Sequence, residues 1–236
     1  MESIIAGWQK VSTVDYPGQI CTVLFTQGCN MRCPYCHNPD LIKRNNGSVP
    51  FAAIENYLRQ RSKLISAITI TGGEPTIHTY KLMDLIKRLK KLNVNIKLDT
   101  NGMRPDIIKY CNPDYLALDI KTVPRLYRPC LKYSRNDSEK KLIESILYAK
   151  LMEKKSEIRI TCVRPIVSVN FIKEIAHYLN GIHTVYLQRY NHIKNDVGLD
   201  CPSEEELIQY KEILSQYVYY IKIRGKIKQE NLITNY

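Results

Sequence analysis

The sequence predicts an α/β protein built on a parallel sheet. Short apolar runs typical of buried strands alternate with amphipathic helical patterns along most of the chain. About six strand–helix units can be counted, and strands that alternate with helices pair in parallel. Six units are too few to close an eight-fold barrel, so we expect an open, partial TIM-type (β/α)6 barrel. No stretch rich in Pro, Gly and Ser marks a linker, which predicts a single domain over residues 1–236.

The first half of the chain predicts strands and helices in strict alternation. Compact apolar runs predict strands over residues 20–27, 67–71, 94–99 and 115–120. Apolar residues at helical spacing predict helices over residues 50–63 and 79–92 and from Pro105 onward.

The second half continues the alternation. Helices are predicted over residues 137–153 and 169–179, and strands over residues 158–163, 184–188 and 218–223. Ser203 is followed three residues later by Glu206, which is the pattern of a capping box. We therefore expect a further helix to begin at Ser203, before the last strand.

The charge and hydropathy of the chain restrict where it acts and what it binds. No apolar run approaches the roughly 18–20 residues of a membrane span, and residues 1–10 do not resemble a secretory signal, so we expect a cytoplasmic protein with no membrane partner. The net charge is +12, but Lys and Arg are spread along the chain, and the densest run, 87–91, lies on a predicted helix. A solvated helix face explains such a run better than nucleic-acid binding. An acidic protein partner, such as a small electron carrier, also suits the charge.

The cysteines predict one site rather than a disulfide framework. Three of the eight, Cys29, Cys33 and Cys36, are crowded into one short segment. Cys21 and Cys162 lie in strand-like runs, where a cysteine is most simply a small buried hydrophobe. The chain is also too long for a small disulfide-stapled domain.

The crowded segment can hold a metal cluster. Three thiols separated by three and then two residues can wrap a [4Fe-4S] cubane and bind three of its irons, which leaves the fourth iron open to a ligand. We expect an exposed loop. Other chemistries fit the same residues: Cys33 and Cys36 have the spacing and sequence of a glutaredoxin-type redox pair. Residues 33–37 also match a c-type haem attachment sequence, and three thiols with His37 could bind zinc. The loop alone leaves these alternatives open.

Polar residues follow the predicted strands, where a parallel barrel builds its active site. The double glycine after the second strand allows a ligand to approach the backbone, and its carbonyl oxygens can bind an ammonium group. We expect a larger residue at Gly73 to block that ligand while the cysteine loop still assembles a cluster. The strand-end residues are Gly72, Gly73, Glu74, Asp99, Thr100, Asn101, Asp119, Lys121, Arg159, Arg164 and Gln188 to Asn191.

At these residues the chain resembles the radical S-adenosylmethionine (SAM) superfamily, and within it the small activases of glycyl-radical enzymes. The resemblance includes residues 12–18, the cysteine loop through Asn38, and residues 72–75, 98–102 and 118–121. The segment between Cys36 and Gly72 has no room for the additional cluster domain of some activases. This leaves the pyruvate formate-lyase activase type and the activase of anaerobic ribonucleotide reductase. The second of these is more similar in length and in residues 7–18.

The resemblance implies a cofactor set and a reaction. A reduced cluster would cleave SAM, and the 5′-deoxyadenosyl radical would abstract hydrogen from a glycine of a partner enzyme, with anaerobic ribonucleotide reductase expected first and pyruvate formate-lyase second. A flavodoxin- or ferredoxin-like protein would donate the electron. Two other functions stay open: radical SAM chemistry on a small molecule, as in the carboxydeazaguanine synthase type, and a zinc- or cluster-binding module without turnover.

The resemblance also implies a role for each site residue. Cys29, Cys33 and Cys36 would bind the cluster and Tyr35 would contact adenine, while Gly72, Gly73 and Glu74 would hold the SAM amino group. Four residues would lie near SAM, where a monovalent cation is a candidate ligand: Asp99, Thr100, Asn101 and Asp119. Lys121 and Arg159 would contact the SAM carboxylate or ribose, and Lys121 is counted among the catalytic residues. The chain departs from the family at Tyr16, which replaces a glycine, and at Asn191, which replaces a histidine, with His192 one place along.

Overall fold

The protein is built around one eight-stranded sheet. A computed structural model describes residues 3–43, 49–193 and 197–225. The strands lie in the sheet in the order in which they occur along the chain. They are β1 (Ile5–Tyr16), β2 (Gln19–Thr26), β3 (Ala67–Gly72), β4 (Asn95–Thr100), β5 (Tyr115–Ile120), β6 (Ser156–Cys162), β7 (Thr184–Arg189) and β8 (Tyr220–Arg224).

Helices cover the outer face of this sheet. One or two helices join each pair of parallel strands, as crossover connections require. They are α1 (Phe51–Gln60), α2 (Thr79–Lys90), α3 (Pro105–Cys111), α4 (Tyr127–Leu131), α5 (Ser138–Met152), α6 (Val169–Tyr178) and α7 (Glu204–Ser215). No helix in the described ranges is long and apolar enough to cross a membrane.

The sheet is an open barrel. Neighbouring strands from β2 to β8 are parallel, and six strand–helix units connect them. Within the described residues β1 and β8 are the two edges and do not pair with each other. The predicted open, partial barrel is therefore confirmed.

One strand departs from the parallel arrangement. β1 pairs with β2 as an antiparallel hairpin, and its turn contains Gly18, whose φ of 71° is readily available only to glycine. This antiparallel direction was not predicted from the sequence. The hairpin adds an antiparallel edge to the otherwise parallel sheet.

The two faces of the sheet have different surroundings. The face toward the helices carries the main core, in which Ile70, Leu98 and Leu118 are fully buried. Inside the barrel, a small apolar cluster fills the amino-terminal ends of β2 and β3, and the predicted burial of Cys21 is found there. Polar and charged side chains occupy the barrel above this cluster, toward the carboxyl ends of the strands.

Candidate active site

A cavity of about 300 Å³ opens at the carboxyl ends of the parallel strands. Strands β3 to β7 and the loop after β2 contribute to its walls. All the site residues predicted by resemblance line it: Cys29, Cys33, Tyr35, Cys36, Gly72, Gly73, Glu74, Asp99, Thr100, Asn101, Asp119, Lys121 and Arg159. Its volume falls in the range of small-molecule sites.

The three clustered cysteines are half-buried, whereas Arg32 and Pro34 between them are exposed, so the loop is exposed only in part. Met31 inside the loop is completely buried and packs against the core, which draws the flanking thiols inward. The backbone N–H of Met31 donates to Cys29 Sγ at 3.4 Å, and the N–H of Cys36 donates to the Cys33 carbonyl at 3.2 Å. The loop is therefore a compact, internally bonded turn whose thiols face the cavity.

The surroundings of the thiols oppose their ionisation. Burial raises the pKa of Cys29 to about 12, with a smaller contribution from the Glu74 carboxylate, and burial raises the pKa of Cys33 to about 11. Thiolates are the metal-binding form of cysteine, and bound metal supplies the charge that stabilises them. A metal group is thus a suitable source of the missing positive charge.

The thiols are not gathered around a point. Within the described ranges, no three His, Cys, Asp or Glu side chains are placed to hold a single metal ion. Cys29, Cys33, Cys36 and His37 therefore do not form a zinc site in this structure. Three thiols that line one cavity from separate points suit a larger group, such as a [4Fe-4S] cluster whose fourth iron is left to another ligand.

Contacts from two other loops position the cysteine loop. The N–H of Arg32 donates to the carbonyl of Leu131 at the end of α4, at 2.8 Å. The side-chain amide of Asn101, which follows β4, donates to Asn30 Oδ1 at 2.7 Å. Asn101 therefore supports the cysteine loop as well as lining the cavity.

The double glycine packs against the backbone that precedes Cys29. A Cβ atom on Gly73 would lie 2.0 Å from the carbonyl oxygen of Gly28, and one on Gly72 would lie 2.3 Å from the N–H nitrogen of Thr26. The N–H groups of Gly73 and Glu74 donate to Thr26 and Gly28. A side chain at Gly73 would therefore displace the cysteine loop itself. This geometry argues against the expectation that such a substitution spares the cluster.

Glu74 is a buried organiser of the strand ends. Its carboxylate is 1% exposed and accepts hydrogen bonds from the Thr76 N–H and hydroxyl, from the Thr100 hydroxyl at 2.7 Å and from the Asn101 N–H at 2.7 Å. Burial raises the pKa of Glu74, and these hydrogen bonds offset part of that rise. Glu74 thus ties the turn after β3 to the end of β4.

Alternating charges line the opposite wall. Arg159 on β6 donates to Asp99 Oδ2 at 2.8 Å and to Asp119 Oδ1 at 2.6 Å. Lys121 donates to Asp119 Oδ2 at 3.0 Å, and Lys97 donates to Asp99 Oδ1 at 2.6 Å. Burial alone would raise the pKa of Asp119, but Arg159 and Lys121 outweigh it and hold that pKa well below its usual range.

Tyr35 connects the cysteine loop to the end of β5. Its ring is 3% exposed, and its hydroxyl donates to the Lys121 carbonyl at 3.0 Å. Burial raises the pKa of Tyr35 well above its usual value, so the hydroxyl stays neutral. The side chain lines the cavity while its hydrogen bond faces the protein.

Two of the strand-end predictions differ from the structure. Arg164 points away from the cavity and pairs with Asp200 and Glu206, because β6 ends at Cys162 and the chain turns outward. Gln188 lines the cavity, whereas the Asn191 carbonyl lies 3.2 Å from His37 Nε2 in an adjoining pocket. Lys97 was not predicted, although its place two residues before Asp99 on a strand indicates the same face.

The fold and the cavity together define an open βα-barrel enzyme of the kind that carries an iron–sulfur cluster on a three-cysteine loop. The chain belongs to the Radical SAM superfamily, whose sequence model matches residues 23–177. The superfamily predicted from the cysteine loop and the strand ends is thereby confirmed.

Similar proteins include activating enzymes. A Methanocaldococcus jannaschii protein assigned as a glycyl-radical enzyme activating enzyme is 28% identical over 235 residues, which covers 95% of this chain and 97% of that protein. The pyruvate formate-lyase-activating enzyme of Clostridium pasteurianum is 27% identical over 231 residues, covering 87% of this chain and 96% of that enzyme. The crystal structure of a radical SAM methyltransferase from Sphaerobacter thermophilus matches with a TM-score of 0.69 at 18% identity, covering 89% of this chain and 67% of that one, and shows the same fold.

Proposed function

We propose that the protein is an activating enzyme that installs a glycyl radical on a partner enzyme, with anaerobic ribonucleotide reductase as the first candidate partner. The observation that carries the proposal is the similarity to an assigned activating enzyme along 95% of the chain. The three-thiol loop beside a polar cavity supports it, since this reaction needs both a cluster and a SAM site. A flavodoxin- or ferredoxin-like protein is the proposed electron donor.

The residues of the cavity fit both cofactors. Cys29, Cys33 and Cys36 would hold the [4Fe-4S] cluster, and Lys121 and Arg159, which line the same cavity, would offer cationic groups to the SAM carboxylate. When bound, the cluster and SAM supply reductive cleavage of the sulfonium and a radical that abstracts hydrogen. The carbonyl oxygens of Gly72 and Gly73, at the end of β3, are the proposed acceptors for the SAM amino group.

The protein contributes placement and shielding. Glu74 fixes the turn after β3 against β4, so the backbone groups near SAM are held before it binds. Tyr35 and Met31 close the inner side of the cysteine loop with buried side chains, which keeps water from that side of the cluster. The mouth of the cavity stays open for a glycine-bearing segment of the partner.

The first test separates an enzyme from a binding module. Cys33→Ala should remove most of the cluster iron and abolish SAM cleavage, whereas Cys130→Ala, a half-buried cysteine on α4, should keep both. Iron content, cluster absorbance and release of 5′-deoxyadenosine would be measured after anaerobic purification. Normal iron and turnover in Cys33→Ala would show that the ligand assignment is wrong.

The second test identifies the partner. The reduced protein and SAM are mixed anaerobically with anaerobic ribonucleotide reductase or with pyruvate formate-lyase, and electron paramagnetic resonance records the glycyl radical doublet. A doublet with the reductase is expected. A doublet with pyruvate formate-lyase alone would replace the partner, and turnover of a small molecule without any doublet would overturn the activating function.

A further inference from the structure

The acidic residues where a monovalent cation was a candidate ligand already have cationic partners. Asp99 accepts from Lys97 and Arg159, and Asp119 accepts from Arg159 and Lys121, so each of the four carboxylate oxygens carries a positively charged donor. A metal cation binds at carboxylates whose negative charge is not already neutralised by cationic side chains. These residues do not fit one.

The local charge balance leads to the same conclusion. The linked ion pairs join three carboxylates to four cationic side chains, all within 4.0 Å of a partner: Asp99, Asp119 and Glu157 with Lys97, Lys121, Arg159 and Arg224. This cluster has a net positive charge before any ion arrives. An added K⁺ or Na⁺ would be repelled by Lys97 and Arg159, whose side chains are only 3% and 14% exposed and so cannot turn into water.

Lys97 is the member of this cluster placed farthest inside the barrel. It lies on β4 two residues before Asp99, so both side chains point to the same face of the strand. Its ammonium group donates a hydrogen bond to Asp99 Oδ1 at 2.6 Å. A buried lysine persists only with a charged partner, and this one holds the carboxylate oxygen that Arg159 leaves free.

We propose that the Lys97 ammonium group takes the place of a monovalent cation in this enzyme. It neutralises Asp99 from inside the barrel and fixes the carboxylate that orients Arg159, which makes Lys97 a positioning residue. The consequence is a SAM site that does not depend on K⁺ or Na⁺. The effect on SAM rests on the proposed function, whereas the replacement of the ion does not.

The first test is made on the wild-type protein with its cluster. Its melting temperature without SAM, and its SAM affinity by calorimetry, are measured in tetramethylammonium chloride and in KCl or NaCl at equal ionic strength. Both quantities should be the same in all three salts. A saturable rise in either with K⁺ or Na⁺ would overturn the proposal, as would broadening of the ²³Na resonance by the protein that K⁺ reverses.

The second test removes the tethered charge. Lys97→Ala removes the ammonium group and leaves space beside Asp99 for a small ion. In tetramethylammonium chloride it should weaken SAM binding by about tenfold and lower the melting temperature. KCl, NaCl or NH₄Cl should restore SAM binding and raise the melting temperature. Lys87→Ala, on the exposed face of α2, is the matched control and should respond to no salt.

Two outcomes of the second test would contradict the proposal: a Lys97→Ala protein equal to wild type in every salt, and a loss that no small cation restores. The melting measurement needs no SAM. It therefore decides the role of Lys97 even if the SAM site fails, and the wild-type measurement decides it if Lys97→Ala does not fold.

Discussion

Gly73 lies where the turn after β3 meets the backbone that leads into the cysteine loop. A Cβ atom there would sit 2.0 Å from the Gly28 carbonyl oxygen and 2.9 Å from that of Leu41. Both are backbone atoms, which cannot rotate away as a flexible side chain would. The absence of a side chain at Gly73 is therefore a requirement of the cysteine loop as well as of a ligand.

Gly73→Ala should lower the stability and the cluster content together. Overpacking of this kind costs about 1–3 kcal/mol, and the shifted Gly28 would displace Cys29. Melting temperature and iron per chain measure the two effects. Gly7→Ala is the control, because a Cβ there meets nothing within 4 Å and should leave both unchanged. Full iron content with lost SAM binding in Gly73→Ala would contradict this account.

Asp119 accepts hydrogen bonds from two cationic side chains and makes the stability of the folded protein depend on pH in the acid range. Its pKa in the folded protein lies well below the usual value near 3.8, because Arg159 and Lys121 outweigh the effect of burial. The stability that it contributes is fully present above that usual value. It is lost as the pH falls below about 4, where the unfolded chain takes up a proton and the folded protein does not.

Asp119→Asn should therefore destabilise the protein by about 3 kcal/mol at pH 7, since it leaves buried cations underpaired. The difference in unfolding free energy between Asp119→Asn and wild type should shrink as the pH falls from 4 to 3. Urea unfolding at pH 7, 5, 4 and 3 measures it, with Asp84→Asn on the exposed face of α2 as the control. Parallel pH profiles for wild type and Asp119→Asn would rule out this role.

The chemistry of single residues was predictable where the backbone pattern fixes their place. Asp99 and Asp119 follow strand ends, and parallel strands bring such ends to one edge. The partners of those residues were not predictable in the same way. Lys97 is visible as a lysine two places before Asp99, but its burial depends on the barrel interior. Arg164 follows a strand end too, yet the chain turns before it.

At the scale of elements, hydrophobic periodicity identified the parallel strands and most of the helices but missed α4. The predicted strand at 115–120 coincides with β5, and the predicted helix at 137–153 contains α5. α4 has five residues and includes Pro129, so it offers less than two turns of periodicity. The antiparallel direction of β1 depends on the turn at Gly18, which sequence spacing alone does not reveal.

The start of α7 can be tested through its cap. Ser203 accepts from the Glu206 N–H at 3.2 Å, and the Glu206 carboxylate accepts from the Ser203 N–H at 2.8 Å, as the capping-box pattern predicted. Ser203→Ala should cost about 1 kcal/mol, which corresponds to about 2–4 °C in melting temperature for a chain of this size. Ser134→Ala, in an exposed loop, should change neither the stability nor the melting temperature. An unchanged Ser203→Ala protein would mean that the cap does not stabilise α7.

At the scale of the whole molecule, an open barrel and a basic surface act together. The cavity faces outward between the strand ends, and the chain carries a net charge of +12. Burial inside a barrel protects a reactive group, whereas an open edge admits a segment of another protein. The proposed reaction requires both, because the hydrogen comes from a glycine on the partner. Long-range attraction to an acidic partner would bring the two together faster.

Activation of the partner should accordingly depend on ionic strength. Raising the salt from about 0.05 to 0.5 M shortens the range of electrostatic attraction from more than 10 Å to less than 5 Å. The rate of glycyl radical formation should fall severalfold, while SAM cleavage without the partner should stay nearly constant, because the charges around Arg159 are shielded from solvent. Electron paramagnetic resonance and 5′-deoxyadenosine release follow the two rates. Choline chloride should act as KCl does, which separates ionic strength from any specific need for K⁺. Equal losses in both rates would place the salt effect inside the barrel and contradict electrostatic docking.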